Sequence, residues 1–474
     1  MPFEHIRKNT RFLQYIAAAW VGILQLSLYA NLVWGTPTLP KLLSEDSPIG
    51  RPLNYEEASW VMSSLSLGMI IGGILLGIFL DILGSKCILL IGAVFTVISW
   101  TILGTAKSFA ALVAGRIVAG VGDGIAVMCI HIYLCEIGSK DIRGKLGVIP
   151  MVGGISGVLL MYGGGPYLTY TTLIICSVIF PLIFIISFPF MPNSPYFLMK
   201  KNQCKDAELC LRRLACSATT RSEIESMLEE IEGTLKRDSR GKHLLSLVFD
   251  VRFGKSLLII VGAQSIGILS GLGFIPPYFQ IILKTADSSL PTELITVIFG
   301  IAQIPSLCLC GLLVDKIGRK WMLGISSFGS GITLMLCGTY FYLNGIYKLN
   351  TVKFLPVVFL IAYQLFLSVG LCYVPNLIVG ELFTTRTKKI GGPTVTCISS
   401  VLVFVTVKIC GSVFESWGLY TLFWAFACAS FLGVFFAMYV LPETKGKSFE
   451  DIQKTLLSSN SIKTSDMDSK NPVI

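Results

Sequence analysis

Gly311-Leu-Leu-Val-Asp315-Lys-Ile-Gly318-Arg319-Lys320 joins two long apolar runs through a short, charged hinge. A weaker copy lies 234 residues earlier, as Gly77-Ile-Phe-Leu-Asp81-Ile-Leu-Gly84-Ser85-Lys86. Glycine and acid keep their spacing in both, and each hinge leaves one apolar helix and enters another. A hinge repeated in this way means a repeated half.

The composition names the solvent. The chain has 474 residues, of which 53% are hydrophobic and 14% charged, with a mean hydropathy of +0.73. Soluble domains carry about 25% charged residues, so most of this chain is expected to lie in a bilayer. The net charge of +10 resembles a nucleic-acid signal. Basic residues collecting on the cytosolic side of a membrane protein account for it better, and no nucleic-acid partner is expected. Most of the 14 cysteines fall inside apolar runs, and Cys204, Cys210 and Cys216 lie in a central polar loop. Neither a disulfide framework nor a metal site is expected from them, and His5, His131 and His243 are scattered. No cofactor is implied, and no Asn-x-Ser/Thr sequon occurs.

Apolar spans are expected near residues 12–34, 58–80, 87–105, 109–135, 146–164 and 168–190, then near 254–283, 291–314, 321–343, 354–380, 391–413 and 418–441. The fold class is therefore an all-α membrane protein with twelve transmembrane helices as a 6+6 pseudo-repeat. The expected domains are an N-terminus 1–11, a six-helix half 12–190, a cytosolic helical linker 191–253, a second half 254–441 and a tail 442–474. The first span lacks a small-residue cleavage pattern and reads as a retained helix. With both termini inside, cytosolic segments hold 30 of the 38 Lys and Arg residues. That bias gives both termini in the cytosol. In the linker, Thr220-x-x-Glu223 reads as a capping box. Ile224, Met227, Leu228, Ile231 and Leu235 then recur at helical spacing, predicting an amphipathic helix against the inner face of the bundle. The Ser- and Lys-rich tail after Leu457 reads as disordered.

Two further motifs repeat in the same order. Glu136 with Arg143 and Glu381 with Lys388, each pair seven residues apart, follow spans four and ten. Pro192-Asn-Ser-Pro195 and Pro442-Glu-Thr-Lys-Gly446 follow spans six and twelve. The offsets, 234, 245 and 250 residues, support a parallel structural repeat. Asp81, Lys86, Glu136, Arg143, Asp315, Arg319, Lys320, Glu381 and Lys388 thus stand at cytosolic helix ends in both halves, where opposite charges are expected to pair across the midline when the inner side closes and must part when it opens. Single exposed pairs contribute about 0–1 kcal/mol, but several together bias a two-state equilibrium.

Asp315-x-x-Gly-Arg-Lys320, Gly115-Arg116, Tyr133-x-x-Glu136 with Arg143-Gly144, Pro192-x-Ser-Pro195 and Pro442-Glu-Thr-Lys-Gly446 together resemble the sugar porter family of the major facilitator superfamily, over essentially the whole chain. Within it, the short outer loop before Trp60 and Leu146-Gly-Val-Ile-Pro150 look most like the insect facilitated trehalose transporter group. The resemblance implies the major facilitator fold, a small-molecule sugar as ligand, a cell-membrane location and an inner salt-bridge network favouring the outward-open state. The chain departs from the pattern at Ile82 and Ser85, where the family usually has Arg. This implies a weaker inner latch and a larger inward-open population.

Family members hold the sugar with amides and aromatics on helices five, seven, eight, ten and eleven. By that resemblance Gln264, Gln303 and Asn376 line the path, with Tyr278 as a gate residue, Ser368 at a frequent acid position and Gln25 on the first span. Several usual amides are replaced: Met151, Gly267, Ile268 and Gly273 stand where Gln or Asn is common, and Ile398-Ser399 lies near the place of an Asn-Trp pair. Buried ligand hydroxyls need partners, so an unaltered glucose site is not expected. Helix packing or interhelical bonding is the plainer account of each residue.

Proton-coupled relatives carry an Asp in the first helix beside the helix-four Arg. Here Tyr29 stands at about that point and the first span has no acid, which favours facilitated diffusion. Asp123, two turns from Arg116 in span four, is an intramembrane acid, a functional signal by default whose plainer role is to partner Arg116. His131 lies near the cytosolic end, and Lys408 can snorkel to the outer interface. The reading is a carrier for trehalose or a hexose by alternating access. The alternatives are a proton-coupled sugar or polyol symporter, and a poorly transporting sugar sensor of the same fold. No nucleophile–base set or phosphate loop points to an enzyme. Sugar and membrane lipid are the expected partners, and no obligate protein partner is evident.

Overall fold

The computed structural model describes residues 12–139, 142–214, 221–240, 251–286, 290–348, 352–383 and 385–445. Thr220 of the expected capping box, the segment 1–11 and the tail beyond Lys445 lie outside the described residues.

Among the described residues, eleven helices are long and apolar enough to cross a membrane. The longest, Tyr55–Thr105, is two helices joined through Gly84, whose φ of 79° and ψ of 159° break the helical path. Twelve spans result. In chain order they are Phe12–Val33, the two parts of Tyr55–Thr105, Phe109–Ile137, Arg143–Gly164, Tyr170–Phe190, Val251–Ala286, Thr292–Ile317, Arg319–Tyr347, Leu355–Leu382, Thr385–Trp417 and Leu419–Tyr439. Gly318, 234 residues after Gly84, separates spans eight and nine with φ 94° and ψ 158°. The repeated sequence motif is thus a repeated backbone geometry, in a region that side-chain-bearing residues avoid.

Local chemistry sets the helix starts. Asn54 and Glu57 form a reciprocal capping box at the start of span two. Ser108 and Thr169 cap spans four and six through the backbone N–H groups of Ala111 and Thr172. Small residues set how closely the spans approach. A Cβ on Gly68 would lie 2.0 Å from the Ile117 carbonyl, and one on Gly120 1.9 Å from that of Leu65. Spans two and four therefore touch backbone to backbone.

The chain forms two compact units. The first contains residues up to Gly241 together with Pro276–Ile281 and Val403–Ser412. The second contains Lys242–Ile275, Ile282–Leu402 and the chain from Val413 onward. The first unit has a core in which Tyr133 and Phe184 pack on Phe188, with ring centroids 5.3 and 4.3 Å away. The linker helices Pro195–Lys200 and Cys204–Leu214 belong to this core through Leu198, Ala207, Cys210 and Leu214. The amphipathic helix Arg221–Arg240 buries Ile224 and Ile231 and rests on those two linker helices. Leu228 is partly buried against the core that those linker helices share with the spans of the first unit.

In the second unit three spans are interrupted. Span seven passes through a π-helical turn at Ile268–Leu272 with Gly271 at φ 98°. Span eight breaks at Ala302, and span ten breaks between Val369 and Val374. In hydrocarbon the backbone groups freed by a break need partners. The Tyr363 hydroxyl donates to the Ser270 carbonyl at 2.9 Å. The Ser326 hydroxyl, from span nine, donates to the Phe366 carbonyl at 2.6 Å and accepts from the Leu371 N–H at 2.9 Å. One serine thereby satisfies both sides of the break in span ten.

Candidate functional site

The charged residues at the hinge side form one cluster in each unit. In the second unit Arg319 opens span nine. Its guanidinium donates to Glu381 Oε1 from Nε at 2.9 Å and from Nη2 at 2.7 Å, and to Asp315 at 3.0 Å. Thr444 donates to the other Glu381 oxygen at 2.6 Å. Glu443 accepts from the backbone N–H groups of Arg319 and Lys320 at 3.2 and 3.3 Å, as a carboxylate at a helix N-terminus should. A Cβ on Gly318 would lie 2.5 Å from that carboxylate. All three motifs of this half meet here. The Lys388 side chain lies outside the described residues.

In the first unit the same places are occupied differently. Ser85 stands at the position of Arg319 and donates to Glu136 Oε2 at 2.6 Å, a single hydroxyl in place of a guanidinium fork. Lys86 donates to the carbonyls of Pro189 and Met191 at 2.7 and 2.6 Å. Asp81 pairs with Lys200 of the linker at 2.7 Å. Arg143 donates to the Gly138 carbonyl at 3.2 Å. Tyr133 donates to the Pro192 carbonyl at 2.9 Å, and Phe197 lies where a Cβ on Gly84 would fall. Lys200 thus supplies a cation that the hinge lacks. At the membrane-remote surface, burial above all pushes the Cys210 thiol up to about 11, while Arg213 and Lys86 pull it back.

A polar cluster stands in the second unit beside the breaks. Gln264 of span seven accepts from the Ser399 hydroxyl of span eleven and donates weakly, at 3.4 Å, to Asn376 Oδ1 of span ten. Asn376 also donates to the Cys372 carbonyl at 3.1 Å. Gln264 and Ser399 are half-buried, and Asn376 is exposed. Gln303 is half-buried at the first position after the break in span eight. The three amides thus stand on helical segments next to the interruptions, and two of them are joined across helices. Ser368 is buried and accepts from Gln364 of its own helix at 2.8 Å. Tyr278 is buried with the far end of span seven in the first unit.

Arg116 and Asp123 are both buried in the first unit. Arg116 donates to the Asn31 carbonyl at 2.7 Å and lies 5.1 Å from the Trp34 ring centre. The Arg116 bond to the first span is thus made to a main-chain carbonyl, a group that no side-chain pattern reports. The Tyr29 ring lies against Gly154 of span five. Among the described residues, Asp123 Oδ1 and Gln25 Oε1 are buried without a hydrogen-bond partner.

Residues 42–456 match the family described as "Sugar (and other) transporter". The chain belongs to that family. The facilitated trehalose transporter Tret1 of Polypedilum vanderplanki is 28% identical over 408 residues, covering 85% of this chain and 80% of the relative. That of Apis mellifera ligustica is 26% identical over 442 residues, with coverages of 93% and 88%. Against Tret1 of Anopheles gambiae the chain spans 56% of the relative's length. The inward-open xylose transporter XylE of E. coli superposes with a TM-score of 0.74 at 20% identity, covering 94% of this chain and all of that one. At that identity the likeness speaks for the fold alone, the twelve-helix arrangement of the major facilitator superfamily. This family member is a multi-pass membrane carrier and not an enzyme.

Of the tunnel residues named from the sequence, Gln264 bonds to Asn376, and Ser368 bonds to Gln364 of its own helix. Ser399, which the sequence places near the missing Asn-Trp pair, joins the cluster through its hydroxyl on Gln264. Asn31, Lys200 and Ser326 carried no sequence signal, since each acts on a partner distant in the chain.

Proposed function

We propose that this protein carries a small sugar, trehalose or a hexose, across the cell membrane by facilitated diffusion. Two halves, 12–190 and 254–441, alternate about the site, with both termini and the linker 191–253 in the cytosol. The observation that carries the reading is the Gln264–Asn376–Ser399 cluster beside the interruptions in spans seven and ten. Amide and hydroxyl groups from three helices suit a ligand made of hydroxyls, and each has a spare donor or acceptor. The hinge-side clusters supply the latch: Arg319 with Glu381 and Asp315 in one half, and Ser85 with Glu136 and Lys200 with Asp81 in the other. The trehalose carriers among its relatives support the sugar class.

The test is radiolabelled uptake of trehalose, glucose, fructose and a polyol into transport-null cells, with and without a proton gradient. One sugar should equilibrate without accumulating, and Gln264→Leu should slow it by about tenfold, as loss of a buried polar partner predicts. Surface expression with no uptake of any sugar would overturn the proposal and favour a sensor. One observation favours a second reading. The unpartnered oxygen of buried Asp123 could carry a proton. Accumulation driven by the gradient and abolished by Asp123→Asn would replace uniport with symport.

A further inference from the structure

Lys408 lies toward the far end of span eleven, where snorkelling alone would turn its ammonium to water. Its side chain is only 23% exposed. The ammonium lies 3.0 Å from Ser59 Oγ, 3.8 Å from Glu56 Oε1 and 4.5 Å from the centre of the Trp60 ring. These three partners stand on one face of span two. Phe404, one turn before Lys408, packs on Trp60 at 6.0 Å. A Cβ on Gly411, one turn after it, would lie 2.5 Å from the Ser59 Cβ. Two helical turns of span eleven are therefore fitted to span two around a single cation. Beside them, Thr36 donates to the Pro276 carbonyl at 2.5 Å, and Met62 and Pro277 both press on Gly35. The far ends of spans one, two, seven and eleven form one compact body, although spans seven and eleven belong by sequence to the second half.

We propose that Lys408 is the outer latch of this carrier, holding span eleven on span two through the Trp60 ring, the Ser59 hydroxyl and the Glu56 carboxylate. The inference rests on the alternating-access reading and goes beyond the hinge-side charges. Any state open to the outside between these spans must withdraw the ammonium from all three partners at once. Glu56 is 71% exposed, so its charge is largely screened. The ring attracts the cation with its quadrupole and lies in the less accessible part of the contact. The order of importance is therefore Lys408, then Trp60, then Glu56.

The test is hydrogen–deuterium exchange of the full chain in lipid nanodiscs, which needs no sugar and so fails independently of the uptake experiment. Lys408→Met should raise exchange at residues 55–66 and 403–417 by about threefold or more, as loss of a cation–π contact predicts, and lower it at the hinges 81–86 and 315–320. Lys408→Arg should resemble the parent, because guanidinium can occupy the same face of the ring. If Lys408→Met does not assemble, Trp60→Phe, which keeps the apolar contact with Phe404, and Glu56→Gln should show the same pattern in decreasing size. Unchanged exchange at 55–66 and 403–417 overturns the proposal. So does a uniform rise over all spans, which would mean that Lys408 only supports folding.

Discussion

Arg319→Ala and Ser85→Ala, made separately, measure how unequal the two hinge clusters are. Arg319 is 14% exposed and gives Glu381 two charge-assisted bonds of 2.9 and 2.7 Å. Its bond to Asp315, which is 76% exposed, is screened and adds about 0.5 kcal/mol at most. A shielded charge-assisted contact contributes about 1.5–3 kcal/mol. Thr444 stays on Glu381 in the variant, so the carboxylate is not stranded, and the loss should be about 2–3 kcal/mol. Ser85 gives Glu136 one charge-assisted hydroxyl bond at 2.6 Å where Arg319 gives two, and its removal should cost about 1.5 kcal/mol. In thermal unfolding of purified protein, followed by intrinsic fluorescence, these become drops of about 4–12 °C and about 3–6 °C for halves of this size. Arg319→Lys keeps the charge but loses the fork and should fall between them. Equal drops for Ser85→Ala and Arg319→Ala would refute the reasoning, because the asymmetry of the two clusters would then carry no energy.

Three further outcomes are expected. Ile82→Arg with Ser85→Arg should restore the cations the first hinge lacks and shift accessibility labelling toward the outward-open form; Ile82 is 53% exposed, so the longer side chain has room. Ser326→Ala should destabilise the protein by about 2–4 kcal/mol in denaturant titration, because one buried and one half-buried backbone group lose their partner. Cys210, raised to about 11 by burial and in contact with the Asn193 carbonyl, should resist maleimide at pH 7.5, where exposed Cys204 reacts. Fast labelling of Cys210 at that pH would mean that the linker helices leave the first unit.

The architecture was legible because its signals are local and repeated. Span lengths follow from apolar runs, and the hinges at Gly84 and Gly318 follow from two glycines in one backbone conformation. The absent Arg at Ser85 was legible too, since the intact copy at Arg319 supplied the comparison. The candidate site was less so. Gln264 and Asn376 were readable as amides in apolar helices, but Ser368 reads the same way and is buried against Gln364. A polar residue in a span is a candidate wherever it faces, and its facing depends on small rotations that accumulate along the helix.

The sequence by itself determined that the chain spans a membrane twelve times in two related halves, with a charged hinge in each. Hydrophobic length, periodicity and charge spacing are properties of the chain, and the bilayer acts on them directly. The tertiary structure alone decided which charges pair, where the spans break and what mends the breaks. The Ser326 hydroxyl meets its carbonyl 40 residues away, and the Lys408 ammonium meets Ser59 349 residues away. Such contacts depend on the packing of helices that local sequence does not fix. The hinge Gly311–Lys320 shows both levels at once: its glycine and charges were legible as a motif, while the clasp of Arg319 on Glu381, with Glu443 capping the helix, exists only once three distant segments have met.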